Sequence, residues 1–248
     1  MKENNHLIAL SGGKDSTAMA LRLMETEPKN YIFFCTPTGD ELPPMKAHWN
    51  KLENILNKPI IKVKSPKWHD FKTMCNIHKC LPNFRKRFCT VNLKIEPAES
   101  FYADNDPCIS YIGLRADEQG RMGNKDTESN TRYPLREWGW GLKEVLSYLQ
   151  NKKITIPART DCARCFFQKK HEWWNLWREY SEIYADAEQQ EKEFGHTFLT
   201  KGKWGKNFPH ALKDMRKKFE KGYIPRKANI YYPLFQDSNN QQCRICSL

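Results

Sequence analysis

Residues 7–16 read Leu-Ile-Ala-Leu-Ser-Gly-Gly-Lys-Asp-Ser, and this stretch decides the fold. The apolar run at 7–10 predicts a short strand, and the residues at 17–24 predict a helix behind a glycine turn. Such a turn directs several backbone N–H groups into one concavity, while the helix start adds partial positive charge. The two glycines let the backbone approach a phosphate closely. We therefore expect a phosphate-binding loop formed by Ser11, Gly12, Gly13, Lys14, Asp15 and Ser16.

Further apolar runs continue an alternation of strands and helices. Strands are predicted at Tyr31–Cys35, Ile60–Val63 and Cys108–Gly113. This alternation indicates an α/β fold with a parallel, doubly wound sheet and right-handed crossovers. Residues 1–157 are expected to form this nucleotide-binding domain, with the nucleotide at the carboxyl ends of the strands, and residues 158–248 a mainly helical appendage. Helices are predicted over 17–24, 45–56, 92–102 (where Pro97 complicates the register), 142–149 and 209–221.

Composition indicates a basic globular protein from a reducing compartment. The 248 residues carry a formal net charge of +12, and no stretch of about 18 apolar residues predicts a membrane span. The polar N-terminus has no apolar signal region. The nine cysteines of such a chain predict a cytoplasmic location, where metal ligands or redox groups are expected before structural disulfides.

The positive charge is concentrated in two blocks. Residues 62–94 contain nine Lys or Arg against one acid, and residues 201–227 contain ten against two. Aromatic side chains interrupt both blocks, a mixture that suits phosphate contact combined with base stacking. DNA or RNA is therefore a candidate partner. The alternative is a solvated basic face over ordinary core aromatics.

Candidate site residues follow two of the predicted strands. Thr38 and Asp40 follow the second strand, and the Asp40 carboxylate is expected to bind ribose hydroxyls or Mg²⁺. The alternative is a turn that caps the next helix. Gly113, Arg115 and Asp117 follow the fourth strand. Arg115 is expected to clamp phosphate oxygens, and Asp117 to orient Arg115 or hold a metal.

Cys89 stands in a strongly basic segment. Arg85, Lys86, Arg87 and Lys94 flank it in the sequence. Positive neighbours lower the pKa of a thiol and favour the reactive thiolate. Cys89 is therefore predicted to be a reactive thiol near the nucleotide, with a partly buried, inert cysteine as the alternative.

Two Cys-x-x-Cys pairs complete the cysteine pattern, Cys162 with Cys165 and Cys243 with Cys246. Paired thiolates at this spacing commonly hold Zn²⁺ or an iron–sulfur cluster such as [4Fe-4S]. We predict that the four cysteines form one metal site, which pins the C-terminal tail to the appendage. One alternative is a cluster that adds Cys89 or Cys80 to the first pair; another is two unrelated reduced pairs.

Together these stretches resemble the phosphoadenosine-phosphosulfate reductase family, a branch of the PP-loop ATP pyrophosphatases. The resemblance implies an adenine nucleotide α-hydrolase-like fold and an adenine nucleotide as ligand. Enzymes of this superfamily split ATP between the α and β phosphates, usually to adenylate a substrate. The stretches that carry the resemblance are Ser11–Ser16, Thr38–Glu41, Arg87–Pro97, Gly113–Glu118 and Tyr133–Trp138.

The resemblance also implies a mechanism. ATP would bind with Mg²⁺, Lys14 would stabilise charge on the phosphates, and Asp15 would help to hold the Mg²⁺. The expected reaction is adenylation of a substrate with release of pyrophosphate, serving sulfur transfer or modification of nucleic acid, with Lys14, Asp15, Cys89 and Arg115 as catalytic residues. The alternatives are reduction of a sulfonucleotide (PAPS or APS) without ATP turnover, and a non-catalytic module that binds nucleotide and nucleic acid around a structural metal. An oligomer is compatible with the sequence.

Overall fold

A parallel sheet of five strands organises the first half of the protein, seen in a computed structural model that describes residues 4–118, 120 and 130–226. Neighbouring strands run parallel, and the order across the sheet is third, second, first, fourth, fifth. The predicted α/β class with a doubly wound sheet is confirmed, because the chain extends the sheet from its first strand in both directions. The strands are β1 (Asn5–Ala9), β2 (Tyr31–Cys35), β3 (Ile60–Lys62), β4 (Cys108–Tyr111) and β5 (Thr131–Arg132).

Helices connect the strands and form most of the remaining described chain. The helix predicted from residue 17 begins earlier, at Lys14, since Gly13 takes the N-cap position and the loop residues after it form the first turn. The helix predicted over 45–56 begins at Pro43, where the missing N–H of proline is tolerated. The helices are α1 (Lys14–Thr26), α2 (Pro43–Leu56), α3 (Phe71–His78), α4 (Phe88–Thr90), α5 (Glu96–Asp104), α6 (Pro134–Glu137), α7 (Leu142–Asn151), α8 (Lys170–Glu179), α9 (Ser181–Phe194) and α10 (Leu212–Glu220).

A π-helical turn, Val91–Ile95, joins α4 to α5. It ends just before Pro97, which stands in the first turn of α5. Residues five apart in a regular α-helix point about 140° away from each other. The wider π-turn changes this relation, and the side chains of Cys89 and Lys94 line the same cavity. The irregularity that Pro97 signalled in the sequence thus shapes a candidate site.

Side chains alternate across β1, and helices cover both faces of the sheet. Ile8 packs in a core with Met19 of α1 and Leu52 of α2. Its neighbour Leu7 faces the opposite side and packs with Tyr102 of α5. Each large apolar side chain buried in this way stabilises the fold by about 1.5–3 kcal/mol. Coverage of both faces is what a parallel sheet requires.

A further hydrophobic core joins the α/β region to the helices that follow it. Phe71 and Leu93 lie in the same buried cluster as Phe166, Trp173 and residues up to α10. The division at residue 157 stays a proposal, and this core draws on both sides of it. No helix among the described residues has the length and apolar character needed to cross a membrane.

Candidate nucleotide and thiol site

The glycine loop lies at the carboxyl end of β1 and leads directly into α1. Gly12 has a φ of +84°, in the left-handed region, and a Cβ there would overlap Met45 and stand 2.9 Å from Trp49 Nε1. Only glycine fits both conditions. The Trp49 indole also donates to the carbonyl oxygen of Ser11 at 2.9 Å. Helix α2 therefore fixes the shape of the loop from behind.

Hydroxyl groups close the loop from within. Ser11 Oγ lies 3.0 Å from Ser16 Oγ, and Ser16 Oγ donates to the carbonyl oxygen of Gly13 at 3.2 Å. Lys14 Nζ lies 3.5 Å from an oxygen of Asp15. The start of α1 thus combines backbone N–H groups, hydroxyls and one ammonium group, the donor set that a phosphate requires.

Arg115 reaches the loop from the end of β4. Its buried guanidinium donates from Nη1 to both oxygens of Asp15 at 3.1 Å and from Nε to Asp117 at 2.8 Å. Glu118 Oε1 lies 3.7 Å from Nη2. Burial alone would lower the pKa of Arg115, but these carboxylates raise it overall. The geometry makes Arg115 the partner that orients Asp15, whereas the sequence suggested a direct phosphate clamp.

Gly113 lets the end of β4 approach the loop. A Cβ at this position would stand 3.0 Å from the backbone nitrogen of Ser16 and 3.2 Å from the carbonyl carbon of Asp15. Backbone atoms in a helix start cannot move aside as a flexible side chain can. Gly113 is therefore needed for the contact between the β4 loop and the phosphate loop.

Three cysteines meet in one cavity beside this loop. Cys89 and the pair Cys162 and Cys165 line it together with Lys94. The sequence assigned Cys89 to one motif and the pair to another, with their association as an alternative. Other lining residues are Thr38, Phe71, Thr90, Asp161, Arg164, Phe166 and Phe167.

The predicted four-cysteine metal site extends past the part of the chain that the structure describes. Cys243 and Cys246 lie outside the described residues. Within 4–118, 120 and 130–226, no three His, Cys, Asp or Glu side chains are grouped closely enough to hold a metal ion. Three thiols are suitable donors for zinc or an iron–sulfur cluster, but as placed here they do not fit one without a further ligand or a rearrangement.

The prediction of a stabilised Cys89 thiolate is wrong. Burial raises the pKa of the Cys89 thiol to about 11, the Cys162 thiol adds to this rise, and Lys94 only partly opposes it. Arg85 and Lys86 are exposed to solvent, so cations that neighbour Cys89 in the sequence do not surround it in space. Cys162 is similarly protonated, since burial raises its pKa to about 12.

Lys94 remains charged among these thiols. Burial alone would lower the pKa of Lys94, but the cysteines of the cavity and the carboxylate of Asp161 raise it overall. The cavity therefore contains a fixed ammonium group beside neutral thiols. A cation so placed stabilises a thiolate, or a bound anion, as soon as one forms.

A buried ion pair ties the thiol loop to the loop after β2. Arg164 donates to Asp40 from its backbone N–H at 2.8 Å and from Nε at 2.7 Å, and its Nη2 lies 2.6 Å from Oδ1. Thr38 Oγ1 lies 3.2 Å from Cys162 Sγ. Both Asp40 oxygens therefore accept from Arg164, and we leave Asp40 out of the proposed ribose or Mg²⁺ contacts.

The phosphate loop and the thiol cavity are neighbours. Thr160 Oγ1 stands 3.8 Å from the position of a Cβ on Gly13, and Cys162 follows two residues later. Two residues of chain span at most about 7 Å. A group bound at the phosphate loop thus lies within a short distance of the thiols.

The family model for the phosphoadenosine phosphosulfate reductase domain matches residues 5–158. The chain belongs to this family. The match covers the sheet and the phosphate loop, and it confirms the resemblance found in the sequence. No curated protein matches the chain.

Solved structures with similar folds include phosphoadenylyl-sulfate (PAPS) reductase from Candida auris in a phosphate complex. It has a TM-score of 0.50 and 15% identity, over 62% of this chain and 76% of that one. An NH3-dependent NAD synthetase from Campylobacter jejuni, in complex with nitrate, has a TM-score of 0.44 and 14% identity, over 91% of this chain and 90% of that one. At such identities the reductase shows the fold alone.

Two residues of the site escaped the sequence-based candidates. Arg164 stands between Cys162 and Cys165, but its partner Asp40 is 124 residues away, and no local pattern connects them. Lys94 was counted only as a flanking charge. Its place in the stretch Arg87–Pro97, which carries the family resemblance, was the available signal.

Proposed function

We propose that the protein is an ATP-binding enzyme that adenylates a substrate with release of pyrophosphate, in support of sulfur transfer. The observation that carries this proposal is the adjacency of the phosphate loop to a cavity lined by three thiols. Adenylation makes an oxygen into a good leaving group as AMP, and a nearby sulfur nucleophile can then displace it. Membership of the family supports a nucleotide site, and the phosphate complex of the Candida auris reductase supports anion binding in this fold.

In this proposal the start of α1 binds the triphosphate. Backbone N–H groups of residues 12–16 and the Lys14 ammonium contact the phosphates and stabilise charge in the transition state. Asp15 is held in place by Arg115, and with Asp117 and Glu118 it provides the carboxylate oxygens that suit Mg²⁺. Bound Mg²⁺ would neutralise phosphate charge.

The proposed adenylation step balances without a redox partner. An oxygen of the acceptor attacks the α-phosphorus, the bond between the α-phosphorus and the bridging oxygen breaks, and pyrophosphate leaves. The thiols serve the next step. A persulfide on one of them, loaded by an external sulfane-sulfur donor, would attack the acceptor carbon and release AMP, and Lys94 would stabilise the sulfur anion.

The experiment is an ATP–pyrophosphate exchange assay with MgATP and candidate acceptors, which include single-stranded RNA and DNA. Wild type and Cys89→Ser should exchange label, and Lys14→Ala should lose the exchange. Cys89→Ser should fail only in sulfur transfer. No exchange with any acceptor, in a protein that releases sulfite from a sulfonucleotide and a thiol reductant, would overturn the proposal.

That second outcome defines the other candidate function, reduction of a sulfonucleotide. The family match and the grouping of Cys89 with Cys162 and Cys165 favour it. A metal bound to these thiols also stays a proposal. Metal analysis of Cys89→Ser and Cys246→Ser tests it: loss of metal in the second variant alone supports a site formed by the two Cys-x-x-Cys pairs, and loss in the first alone supports the grouping around the cavity.

A further inference from the structure

The two basic blocks, which are far apart in the sequence, meet beside the thiol cavity. Arg87 of the first block lies with Cζ 5.3 Å from the centre of the Phe167 ring. Lys203 of the second block donates from Nζ to the carbonyl oxygens of Phe166 at 2.6 Å and Gln168 at 3.2 Å. Phe166 and Phe167 line the cavity. The segment 166–168 thus holds the two blocks on either side of the thiols.

We call the residues 84–87 and 201–206 the rim, and its first half is a preformed loop. Asn83 Oδ1 accepts from the backbone N–H groups of Arg85 at 2.9 Å and Lys86 at 3.0 Å. Phe84 is 49% exposed, and the Arg85 guanidinium lies 5.2 Å from the centre of its ring. A large aromatic ring in water beside two exposed cations is poorly explained by folding alone.

The second half of the rim repeats this combination. Trp204 is half-buried against Phe208, with 5.6 Å between ring centres. Lys201 and Lys206 on either side of it are exposed. The ion pairs found within the described part of the chain involve neither these two lysines nor the exposed cations of the first half. Their positive charge therefore remains available to an external anion.

We propose that the rim binds single-stranded nucleic acid and directs one nucleotide towards the thiol cavity. This inference rests on the proposed function and names its acceptor class. The phosphates of a strand complement the exposed cations, and bases stack on Phe84 and Trp204. A duplex hides the faces of its bases, so it cannot use these rings. A single sulfonucleotide has only one base and cannot occupy both halves of the rim.

Fluorescence anisotropy of a labelled single-stranded oligonucleotide tests the proposal. The double variant Arg85→Glu/Lys86→Glu should weaken binding at least tenfold, and should reduce the slope of log K against log salt by about 2, because each lost phosphate contact accounts for about 0.9. Phe84→Ala should weaken binding about tenfold through lost stacking. Lys143→Glu, an exposed cation of α7 outside the rim, is the matched control and should bind as wild type does.

Three results would overturn the rim. These are a flat salt dependence, equal losses in Lys143→Glu, and competition by polyglutamate or by duplex as strong as by unlabelled single strand. Exchange assays on the same proteins separate this failure from that of the proposed function. Oligonucleotide binding without any ATP–pyrophosphate exchange refutes the adenylation alone, whereas exchange with a small-molecule acceptor and no oligonucleotide binding refutes the rim alone.

Discussion

The Asp40–Arg164 ion pair yields a stability prediction whose size follows from burial. Arg164 is 7% exposed and Asp40 is 5% exposed, and three contacts of 2.6–2.8 Å join them. Arg164→Met keeps the aliphatic stem but leaves the Asp40 carboxylate buried without its cation. Breaking a buried pair from one side costs about 3–5 kcal/mol. We expect the free energy of unfolding to fall by that amount.

The second half of this prediction is a double-mutant cycle. Asp40→Asn/Arg164→Met removes both charges, so no uncompensated ion remains, and it should cost at least about 2 kcal/mol less than the sum of the single variants. Urea unfolding followed by tryptophan fluorescence measures each value, because Trp173 is fully buried in the core that Arg164 adjoins. Additivity of the two substitutions within about 0.5 kcal/mol would refute the reasoning.

A matched control separates burial from charge. Lys72 pairs with Asp186 at 2.7 Å, but its side chain is 55% exposed. Lys72→Met should therefore cost less than about 1 kcal/mol. The Cys162 thiol supplies a further readout: in Arg164→Met it should react faster with a thiol reagent in the native state, while the Lys72 variant should react at the wild-type rate.

Three further predictions concern binding and pH. Lys14→Ala should weaken ATP binding by about 2 kcal/mol, or about 30-fold, the scale of one charge-assisted contact; an unchanged calorimetric Kd would reject the phosphate assignment. Alkylation of Cys89 should remain slow at neutral pH and accelerate towards pH 11, because burial raises the pKa of this thiol to about 11; an apparent pKa below 8 would contradict the burial argument. Burial raises the pKa of Glu191 to about 7, so its stabilising contribution is fully present below the unfolded pKa and is lost as pH rises through about 7. The free energy of unfolding should thus fall by up to about 3 kcal/mol between pH 4.5 and 7, and Glu191→Gln should remove this slope.

Local signals explain why the fold was predictable from the sequence. Each strand is a short apolar run between turn residues, and the loop at 11–16 follows the first of them without a gap. The start of α1 was placed three residues late because Lys14–Ser16 were counted as loop, although their backbone already forms a helical turn. The π-turn before Pro97 was signalled only as a disturbance of register.

The thiol cavity was less predictable because non-local contacts build it. Cys89 and Cys162 come together only through the fold, and nothing near Asp40 in the sequence indicates that Arg164 will occupy its carboxylate. The protonation of Cys89 was wrong for the same reason. Charge adjacent in the sequence was used as charge adjacent in space, whereas the fold exposes Arg85 and leaves burial to dominate.

The arrangement of the site follows from the order of the strands. The loops after β1, β2 and β4 leave the same edge of the sheet, because these strands are parallel neighbours. The first supplies the phosphate loop, the third supplies Arg115, and the middle one supplies Thr38 and Asp40. The thiol loop then pairs with this middle loop through the bridge between Glu41 and Cys162. A motif more than a hundred residues away is thereby fixed beside the phosphate loop by contacts with a single loop, so substitutions in that loop should alter thiol reactivity before they alter nucleotide binding.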